Sequence, residues 1–325
     1  MYIGDYLGRR TIYSPEAPAL VDTGKTPELR LTYAQLNDRA NRLAHALGDL
    51  GVGHGDRVAI LALDGVEHLD LLFACGKLGA IHTALNWRLH WRELQQILAE
   101  VTPTVLIYDD AFRESVAEMG QVESPVRHWI HLDGSGIPGS QDFSALLTAA
   151  SAAPRTCETL VEEDIAAIVF TGGTTGLPKG ARISHRQIAW NALNSVIHDV
   201  NRDDVYLNVF PMFHVGGLFV YTLPQIIMGG TTVLLKRFDP ERVLHLLQRE
   251  RATIFAAVPA MYQMLTQTPA WAQADLSALR FCTSGGAPLP VPLVKQYTRE
   301  KGVRFKQGFG MTEFGPGLFA LAPED

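Results

Sequence analysis

Apolar and polar positions alternate along the first half of the chain with two different periods. Apolar residues recur at helical spacing over residues 36–47, after Thr32-Tyr33-Ala34-Gln35, which has the form of a helix capping box. The same criteria predict strands at 57–63, 104–108 and 128–132, and helices at 66–78 and 91–100. This alternation of strands and helices is typical of a doubly wound α/β architecture with mainly parallel strands.

The second half of the chain repeats the alternation. Ser184-His185-Arg186-Gln187 is a second capping box, which opens a helix to about residue 199, and Asp239-Pro240 begins a further helix with a side-chain cap and a proline in its first turn. Strands are predicted at 165–170, 205–210, 231–235, 253–257, 279–283 and 303–307, with a helix at 218–228. We therefore expect an α/β fold of layered, mostly parallel sheets flanked by helices.

Two loose segments lie near the middle of the chain. Residues 134–141 are rich in Gly, Ser and Pro, and residues 152–158 have no clear period. They predict a soft boundary near residue 155, between an N-terminal α/β subdomain (1–155) and a second α/β subdomain (156–325). Ligands in open α/β sheets bind beyond the carboxyl ends of strands, and Thr171, Ser284 and Gly308 each follow a predicted strand.

The run after the predicted strand 165–170 is unusual in composition. Residues 170–180 read Phe-Thr-Gly-Gly-Thr-Thr-Gly-Leu-Pro-Lys-Gly, with four glycines, three threonines and one cation. Glycines let backbone N–H groups turn toward an anion, while hydroxyls and a lysine add donors and charge, so a phosphate loop for ATP is indicated. A Walker A loop is excluded, because Lys179 is preceded by Pro178 and followed by Gly180. A solvated turn rarely needs eleven residues of this kind.

This loop resembles the phosphate loop of the adenylate-forming enzymes, which include acyl-CoA synthetases, luciferases and peptide-synthetase adenylation domains. Residues 307–313 (Gln-Gly-Phe-Gly-Met-Thr-Glu) are similar to the second nucleotide motif of that family, and residues 284–288 (Ser-Gly-Gly-Ala-Pro) resemble its adenine-side loop. Residues 211–217 (Pro-Met-Phe-His-Val-Gly-Gly) resemble its acyl-pocket segment. One departure is Gly172, where the family usually has serine, although some fatty-acyl members also have glycine there.

The resemblance implies a reaction and a set of roles. A carboxylate attacks the α-phosphate of ATP in the presence of Mg²⁺, giving an acyl-adenylate and pyrophosphate, and the thiol of coenzyme A then takes the acyl group. The implied phosphate-binding residues are Thr171, Gly172, Gly173, Thr174, Thr175, Gly176 and Lys179, and those around AMP are Gly285, Gly286, Ala287, Gln307, Gly308, Phe309, Gly310, Met311 and Thr312. The implied catalytic residues are Thr312, Glu313, His214 and Lys179, with Glu313 as the magnesium ligand.

Two of these roles have simpler alternatives. Phe309 is implied to stack on adenine, but an aromatic side chain also serves as core packing. His214 is implied to border the acyl and thiol channels, whereas a lone histidine in an apolar segment is often a hydrogen-bonded core residue. Amino-acid adenylation domains usually place aspartate in this segment, and His214 cannot serve as that carboxylate.

The residues around His214 bear on the substrate. Val215, Leu218, Phe219, Val220 and Tyr221 are apolar or aromatic, so an uncharged pocket is expected. A fatty acid is the first choice of substrate for the predicted fatty acyl-CoA synthetase, and an aryl acid is the alternative.

Charge and composition exclude several other classes. A formal charge of −6, a pI near 6.0 and the lack of a basic run argue against a nucleic-acid partner. Cys75, Cys157 and Cys282 form no Cys-x-x-Cys pair, which suits a reducing compartment and offers no zinc framework. Residues 1–10 lack an apolar run of signal-peptide length, so the cytoplasm is expected. Residues 205–235 carry no charge, but prolines and glycines interrupt them, so buried elements are expected rather than a transmembrane helix.

The resemblance extends from about residue 32 to Asp325, twelve residues after Glu313. Family members continue with a small C-terminal domain that carries a lysine for the substrate carboxylate. We therefore expect this chain to be the greater part of a large N-terminal domain, without the C-terminal lid domain, and to be deficient in adenylation alone. The alternative is a non-catalytic nucleotide- or acyl-binding relative. The oligomeric state stays open, and a homodimer is compatible with the resemblance.

Overall fold

The computed structural model describes residues 4–172, 178–315 and 317–322. The strands are β1 Pro18–Asp22, β2 Leu29–Thr32, β3 Arg57–Leu61, β4 Ile81–Ala84, β5 Val105–Tyr108, β6 His128–His131, β7 Gln141–Asp142, β8 Ile165–Thr171, β9 Lys179–Ser184, β10 Val205–Asn208, β11 Thr231–Leu234, β12 Ile254–Ala257, β13 Phe281–Ser284, β14 Phe305–Gly310 and β15 Gly317–Leu321. The α-helices are α1 Tyr6–Tyr13, α2 Tyr33–Asp49, α3 Val66–Leu78, α4 Trp91–Val101, α5 Arg113–Gly120, α6 Phe143–Ala149, α7 His185–Ile197, α8 Thr222–Met228, α9 Pro240–Arg249, α10 Pro259–Thr266 and α11 Val291–Lys301.

The chain divides into two compact units, each made of several segments. The first unit comprises Met1–Glu16, Thr32–Ala189 and Met212–His214, and the second comprises Ala17–Leu31, Trp190–Pro211 and Val215–Asp325. The sequence predicted two subdomains that meet at one boundary near residue 155. That boundary stays a prediction.

The first unit is built on a seven-stranded sheet with the order β7-β6-β5-β3-β4-β8-β9. All neighbours are parallel except β8 and β9, which form an antiparallel pair at one edge. Strands buried on both faces read as continuous apolar runs, and all four residues of β5 are buried. All residues of α3 are buried as well, and the ammonium of its Lys77 is held by Asp5 (2.6 Å) and Asn37 (2.9 Å).

The second unit is built on an eight-stranded sheet with the order β15-β14-β13-β12-β10-β11-β1-β2. The pairings from β14 to β1 are parallel, and β15 lies antiparallel on β14. Helix α9 packs an apolar face on this sheet, because Val243, Leu244, Leu246 and Leu247 are buried and belong to one apolar cluster with strand residues such as Phe255 and Val233. The expected α/β class with mostly parallel sheets is confirmed.

Most predicted elements exist, with shifts at their ends. Helix α3 has its predicted bounds, and the capping boxes at Thr32 and Ser184 are both formed. The helix predicted over 218–228 is divided into a π-helical turn, Gly216–Val220, and helix α8. Gly308 was expected to follow a strand, but it lies inside β14, because pairing with β15 extends that strand to Gly310.

The uncharged stretch 205–235 forms β10, the π-helical turn, α8 and β11, as expected for buried elements. Among the described residues, the structure contains no helix long and apolar enough to cross a membrane.

Candidate nucleotide and acyl sites

The described ends of the phosphate loop form an antiparallel hairpin in the first unit. Thr171 ends β8 and Lys179 begins β9, and the two residues are paired, with the Thr171 hydroxyl donating to the Lys179 carbonyl oxygen at 3.4 Å. Gly172 and Lys179 are both exposed. The ladder thus brings the two ends of the loop together at a sheet edge, where a loop can close around an anion. Gly173, Thr174, Thr175 and Gly176 lie outside the described residues.

The adenine-side loop is held to β14 by a single side chain, Gln307. Its amide nitrogen donates to the carbonyl oxygens of Ser284 (3.1 Å), Ala287 (3.3 Å) and Gly308 (3.2 Å), and its amide oxygen accepts from the Leu289 N–H at 3.0 Å. A sequence motif and a separate loop are therefore joined in the second unit. Gln307 positions this loop through contacts with its backbone.

Gly285 and Gly286 follow Ser284 in the loop that Gln307 holds. Gly286 has φ +78°, a left-handed conformation that favours glycine. A Cβ atom at Gly285 would lie 3.7 Å from the Gly308 carbonyl oxygen, so the two backbones are in contact distance. Beside them, the Ser284 hydroxyl is fully buried and, within the described part of the chain, has no hydrogen-bond partner.

Phe309 is 51% exposed, which is unlike a core residue. Its ring stacks on that of Phe319 across the β14–β15 pair, with ring centroids 5.1 Å apart and an interplanar angle of 19°. An exposed, pre-stacked ring can receive a further planar group on its free side. The predicted contact with adenine is compatible with this placement.

Thr312 and Glu313 lie in a short 3₁₀ turn, Thr312–Phe314, directly after β14. Gly315 ends the turn with φ +76° and donates its N–H to the Thr312 carbonyl oxygen at 3.2 Å. Thr312 is 8% exposed, whereas Glu313 is exposed. The turn therefore presents the Glu313 carboxylate to solvent, where its oxygens are accessible to a metal ion. Among the described residues, no group of three or more His, Cys, Asp or Glu side chains is placed to hold a metal ion.

His214 belongs to a three-residue segment of the first unit, Met212–His214. Asp64 holds this segment, because its carboxylate accepts the Met212 N–H at 2.8 Å. The Phe213 ring packs edge-on against Trp87 at 6.0 Å, and the Arg88 guanidinium lies over both rings. The His214 side chain is exposed, yet the protein atoms around the imidazole partly desolvate it, which lowers the pKa of His214 from its ordinary 6.5.

Asp64 itself is an unusual buried carboxylate, with 9% of its surface exposed. Burial raises the pKa of Asp64 from 3.8 to about 7, and this effect outweighs the opposing Met212 N–H bond and the Arg88 charge. The sequence interpretation missed Asp64. Its only signal was its position shortly after β3, at the carboxyl end of a parallel strand.

Pro211 and residues 215–217 are the part of the predicted acyl segment that belongs to the second unit, and they pack closely. A Cβ atom at Gly217 would lie 2.3 Å from the Pro211 carbonyl oxygen, so this position requires glycine. The π-helical turn Gly216–Val220 follows, a conformation frequent at functional sites. Tyr221 is buried and its hydroxyl bonds that of Thr283 at 2.7 Å.

Two buried asparagines that the sequence interpretation missed support this turn. Asn208 donates to the carbonyl oxygens of Gly217 (3.4 Å) and Phe210 (3.3 Å). Asn191 in α7 donates to the Phe219 carbonyl oxygen and accepts the Gly317 N–H at 3.2 Å. Both residues lie outside the recognised motifs, so only the tertiary contacts identify them.

Comparisons with known proteins show the family of the chain. The AMP-binding enzyme family matches the chain over residues 9–325. A feruloyl-CoA synthase from Amycolatopsis sp. is 37% identical over 98% of this chain and 61% of its own length. An indoleacetate–CoA ligase from Aromatoleum aromaticum is 37% identical over 100% of this chain and 62% of its own. A long-chain-fatty-acid–CoA ligase from Mycobacterium tuberculosis is 34% identical over 99% and 62%.

Solved structures show the same fold. The inhibitor-bound N-terminal domain of FACL13 from Mycobacterium tuberculosis superposes with a TM-score of 0.92 at 33% identity, covering 99% of this chain and 79% of that one. The anthranilate CoA ligase AuaEII in complex with anthranoyl-AMP superposes with a TM-score of 0.92 at 26% identity, covering 99% and 62%. The chain thus spans about three fifths of the length of the curated relatives it matches (61% and 62%) and has the fold of an acyl-CoA synthetase N-terminal domain.

Proposed function

Since the chain belongs to the AMP-binding enzyme family, we propose that it provides the nucleotide- and acyl-binding part of an ATP-dependent acid–thiol ligase. The ligase would activate a carboxylic acid as its acyl-adenylate and transfer the acyl group to coenzyme A. The names of the relatives, which are CoA ligases at 34% to 37% identity, support this activity.

Two bond exchanges make up the reaction. A carboxylate oxygen attacks the α-phosphorus of ATP, the bond to the β-phosphate oxygen breaks, and pyrophosphate leaves. The thiol sulfur of coenzyme A then attacks the acyl carbon, AMP leaves, and the thiol proton is released. Lys179 would offset charge on the departing pyrophosphate, Thr312 would contact the α-phosphate, and Glu313 would hold a Mg²⁺ ion, which would supply further positive charge to the phosphates.

The observation that carries the proposal is the Gln307 hydrogen-bond network. It joins the Ser284–Pro288 loop to β14, the strand that also carries the exposed and stacked Phe309 ring. Sequence motifs alone place these residues in order. The structure adds that the second unit brings them into contact.

A fatty acid is our first proposal for the substrate, because of the uncharged acyl segment and Gly172. An aromatic acid is the second candidate. The relatives named for feruloyl-CoA and indoleacetate are 37% identical, against 34% for the long-chain fatty-acid ligase, and this small difference leaves both classes to be tested. The AuaEII neighbour, solved with anthranoyl-AMP, adds support for the aromatic class. The cytoplasmic location and a homodimer stay proposals from the sequence and the family.

Calorimetric titration tests both the function and the substrate class. The ligands are non-hydrolysable acyl-adenylate mimics with a fatty chain, a benzoyl group or an aminoacyl group, and adenosine serves as the reference. We expect the fatty or the benzoyl mimic to bind more tightly than adenosine, and the aminoacyl mimic to gain nothing. If no mimic binds better than adenosine, this chain does not form an acyl-adenylate site.

A further inference from the structure

The second unit contains a cavity of about 310 Å³. It lies at the amino-terminal ends of two parallel strands, whereas the predicted nucleotide motifs lie at their carboxyl ends. Arg280 and Arg304 line it, and they directly precede β13 and β14. Ser284 and Gly310 are the last residues of these two parallel strands, at their carboxyl ends. The cavity is therefore separate from the Gln307 network, although β14 contributes to both.

A buried lysine forms part of the cavity wall. Lys306, in β14, is 4% exposed, and its ammonium donates to the His198 carbonyl oxygen at 2.6 Å. The same nitrogen lies 3.9 Å from the centre of the Phe281 ring and 3.4 Å from the Asp199 carboxylate. A carbonyl oxygen, an aromatic face and a carboxylate therefore surround the ammonium group in this wall.

Among the described residues of this wall, positively charged side chains outnumber carboxylates. One guanidinium nitrogen of Arg280, Nη1, lies 2.6 and 2.7 Å from the two carboxylate oxygens of Asp204, a buried carboxylate that also accepts from the Thr253 hydroxyl. Arg304 donates to the Arg280 carbonyl oxygen at 3.4 Å, which uses one of the several N–H donors of a guanidinium. Among the described residues, three cations, Arg280, Arg304 and Lys306, thus lie with two carboxylates, Asp199 and Asp204.

His198 adds a neutral polar group to the wall. Burial and the nearby Lys306 charge lower the pKa of His198, against the opposing effect of Asp199. The imidazole is therefore uncharged at neutral pH. Ile197 and Phe281 make the remaining wall apolar, so the cavity combines cationic donors with hydrophobic surface.

We propose that this cavity is an anion-binding site for a carboxylate or phosphate group attached to an apolar body. The anion would sit against Arg304 and Lys306, where bidentate guanidinium bonding is available. The apolar part would lie on Ile197, which is 76% exposed.

Such an anion has two sources. It is either a free molecule or the far end of the acid substrate. The second source rests on the proposed function: the buried Tyr221 ring, four residues after the predicted acyl segment, lies 6.5 Å from the Phe281 ring of the cavity wall, so the two regions are neighbours. A substrate acid with a second anionic group at its distal end is the candidate from this source.

Calorimetry with inorganic phosphate tests the anion site directly. We compare the unmodified chain with Arg304→Gln, an exposed position whose substitution should leave the fold intact, and with the matched control Arg299→Gln, whose side chain is 74% exposed on α11. Lys179→Gln reports any binding at the phosphate loop. We expect Arg304→Gln to weaken phosphate binding by about tenfold or more, as loss of a charge-assisted bond predicts, while Arg299→Gln changes nothing. If phosphate does not bind, or if only Lys179→Gln weakens it, the proposal is overturned.

A second titration distinguishes the two sources of the anion. Two fatty acyl-adenylate mimics of equal chain length are used, one ending in a methyl group and one in a carboxylate. If the substrate supplies the anion, the carboxylate mimic binds more tightly and loses this advantage in Arg304→Gln, whereas the methyl mimic binds both proteins equally. If both mimics bind equally while phosphate binding depends on Arg304, the site takes a free anion. If neither mimic binds, the proposed ligase function fails, and the phosphate titration still decides the cavity.

Discussion

At the scale of single residues, one buried carboxylate and one amide determine how the predicted motifs are presented. Asp64 holds the Met212–His214 segment, and Gln307 holds the Ser284–Pro288 loop. Neither residue was predicted to act in this way. Both act on the backbone of a functional segment, so their loss should change the geometry of the site more than its chemical composition.

Replacing Asp64 with Asn should make the stability of the chain less sensitive to pH. The folded-state pKa of Asp64 is raised from 3.8 to about 7, so the folded protein binds this proton more tightly than the unfolded chain does. Its contribution is then fully present below pH 4 and is lost as the pH rises toward 7. Relative to the unmodified protein, Asp64→Asn should gain on the order of 2–4 kcal/mol of stability between these limits.

Denaturant unfolding at a series of pH values measures this gain. Taking the difference between the two proteins cancels every other titrating group. Asp203→Asn, at a side chain that is 87% exposed, is the matched control and should show no trend. A pH-independent difference for Asp64→Asn would contradict the raised pKa.

Replacing Gln307 with Glu should weaken nucleotide binding. A carboxylate keeps the acceptor for the Leu289 N–H but loses the amide donor that reaches the three carbonyl oxygens. With each lost bond contributing about 1 kcal/mol, the affinity for the best acyl-adenylate mimic should fall by about tenfold or more. Calorimetric titration measures the change, and Gln296→Glu, on the exposed face of α11, should leave the affinity as it was. Equal affinities for the two variants would show that the loop does not need its clamp.

At the scale of elements, local signals predicted most helices. The features that they did not predict depend on pairing between residues that are distant in the sequence. Helix α3 lies between Gly65 and Gly79, two glycines that mark its ends in the sequence, and its bounds were predicted correctly. The end of β14 could not be predicted, since β15 extends it through an antiparallel pairing that no local pattern announces. The Asp64–Met212 bond, between residues 148 positions apart, is beyond any local signal.

The same contrast applies to the candidate site. The motifs predicted the candidate nucleotide loops because glycine spacing and hydroxyl content are local properties of the sequence. The asparagines at 191 and 208 and the cationic cavity are products of tertiary packing, where residues that are distant in sequence become neighbours.

Helix α9 allows a test of one local signal. The Asp239 carboxylate accepts the Arg242 N–H at 2.7 Å, as the predicted cap requires. Asp239→Ala should destabilise the chain by about 1 kcal/mol, because it removes the cap, whereas Asp239→Asn should restore nearly all of that loss. Denaturant unfolding of both variants measures the cap, and equal losses in the two would show that the carboxylate charge matters rather than the hydrogen bond.

At the scale of the whole molecule, three buried histidines of the first unit are expected to limit stability in acid. His68 and His82 are fully buried and His185 is 2% exposed. Within the described residues, both ring nitrogens of His82 and of His185 lack a hydrogen-bond partner. Burial lowers the pKa of His68 and His185 to about 4 and that of His82 to about 3, so all three are neutral in the folded protein at pH 7.

Acid should therefore unfold the chain through these side chains. Their folded pKa values lie below the ordinary 6.5, so the unfolded state binds more protons, and stability is lost as the pH falls from about 6.5 toward 4. His82→Leu keeps an apolar group of similar size in β4 and removes one of the titrating sites. Its thermal midpoint should fall less steeply than that of the unmodified protein over this range, by an amount equivalent to a few kcal/mol at pH 4. Calorimetric scans at several pH values measure the slope, and His245→Leu, at an exposed position of α9, should keep the original one. Parallel slopes for the protein and His82→Leu would mean that the acid sensitivity arises elsewhere in the fold.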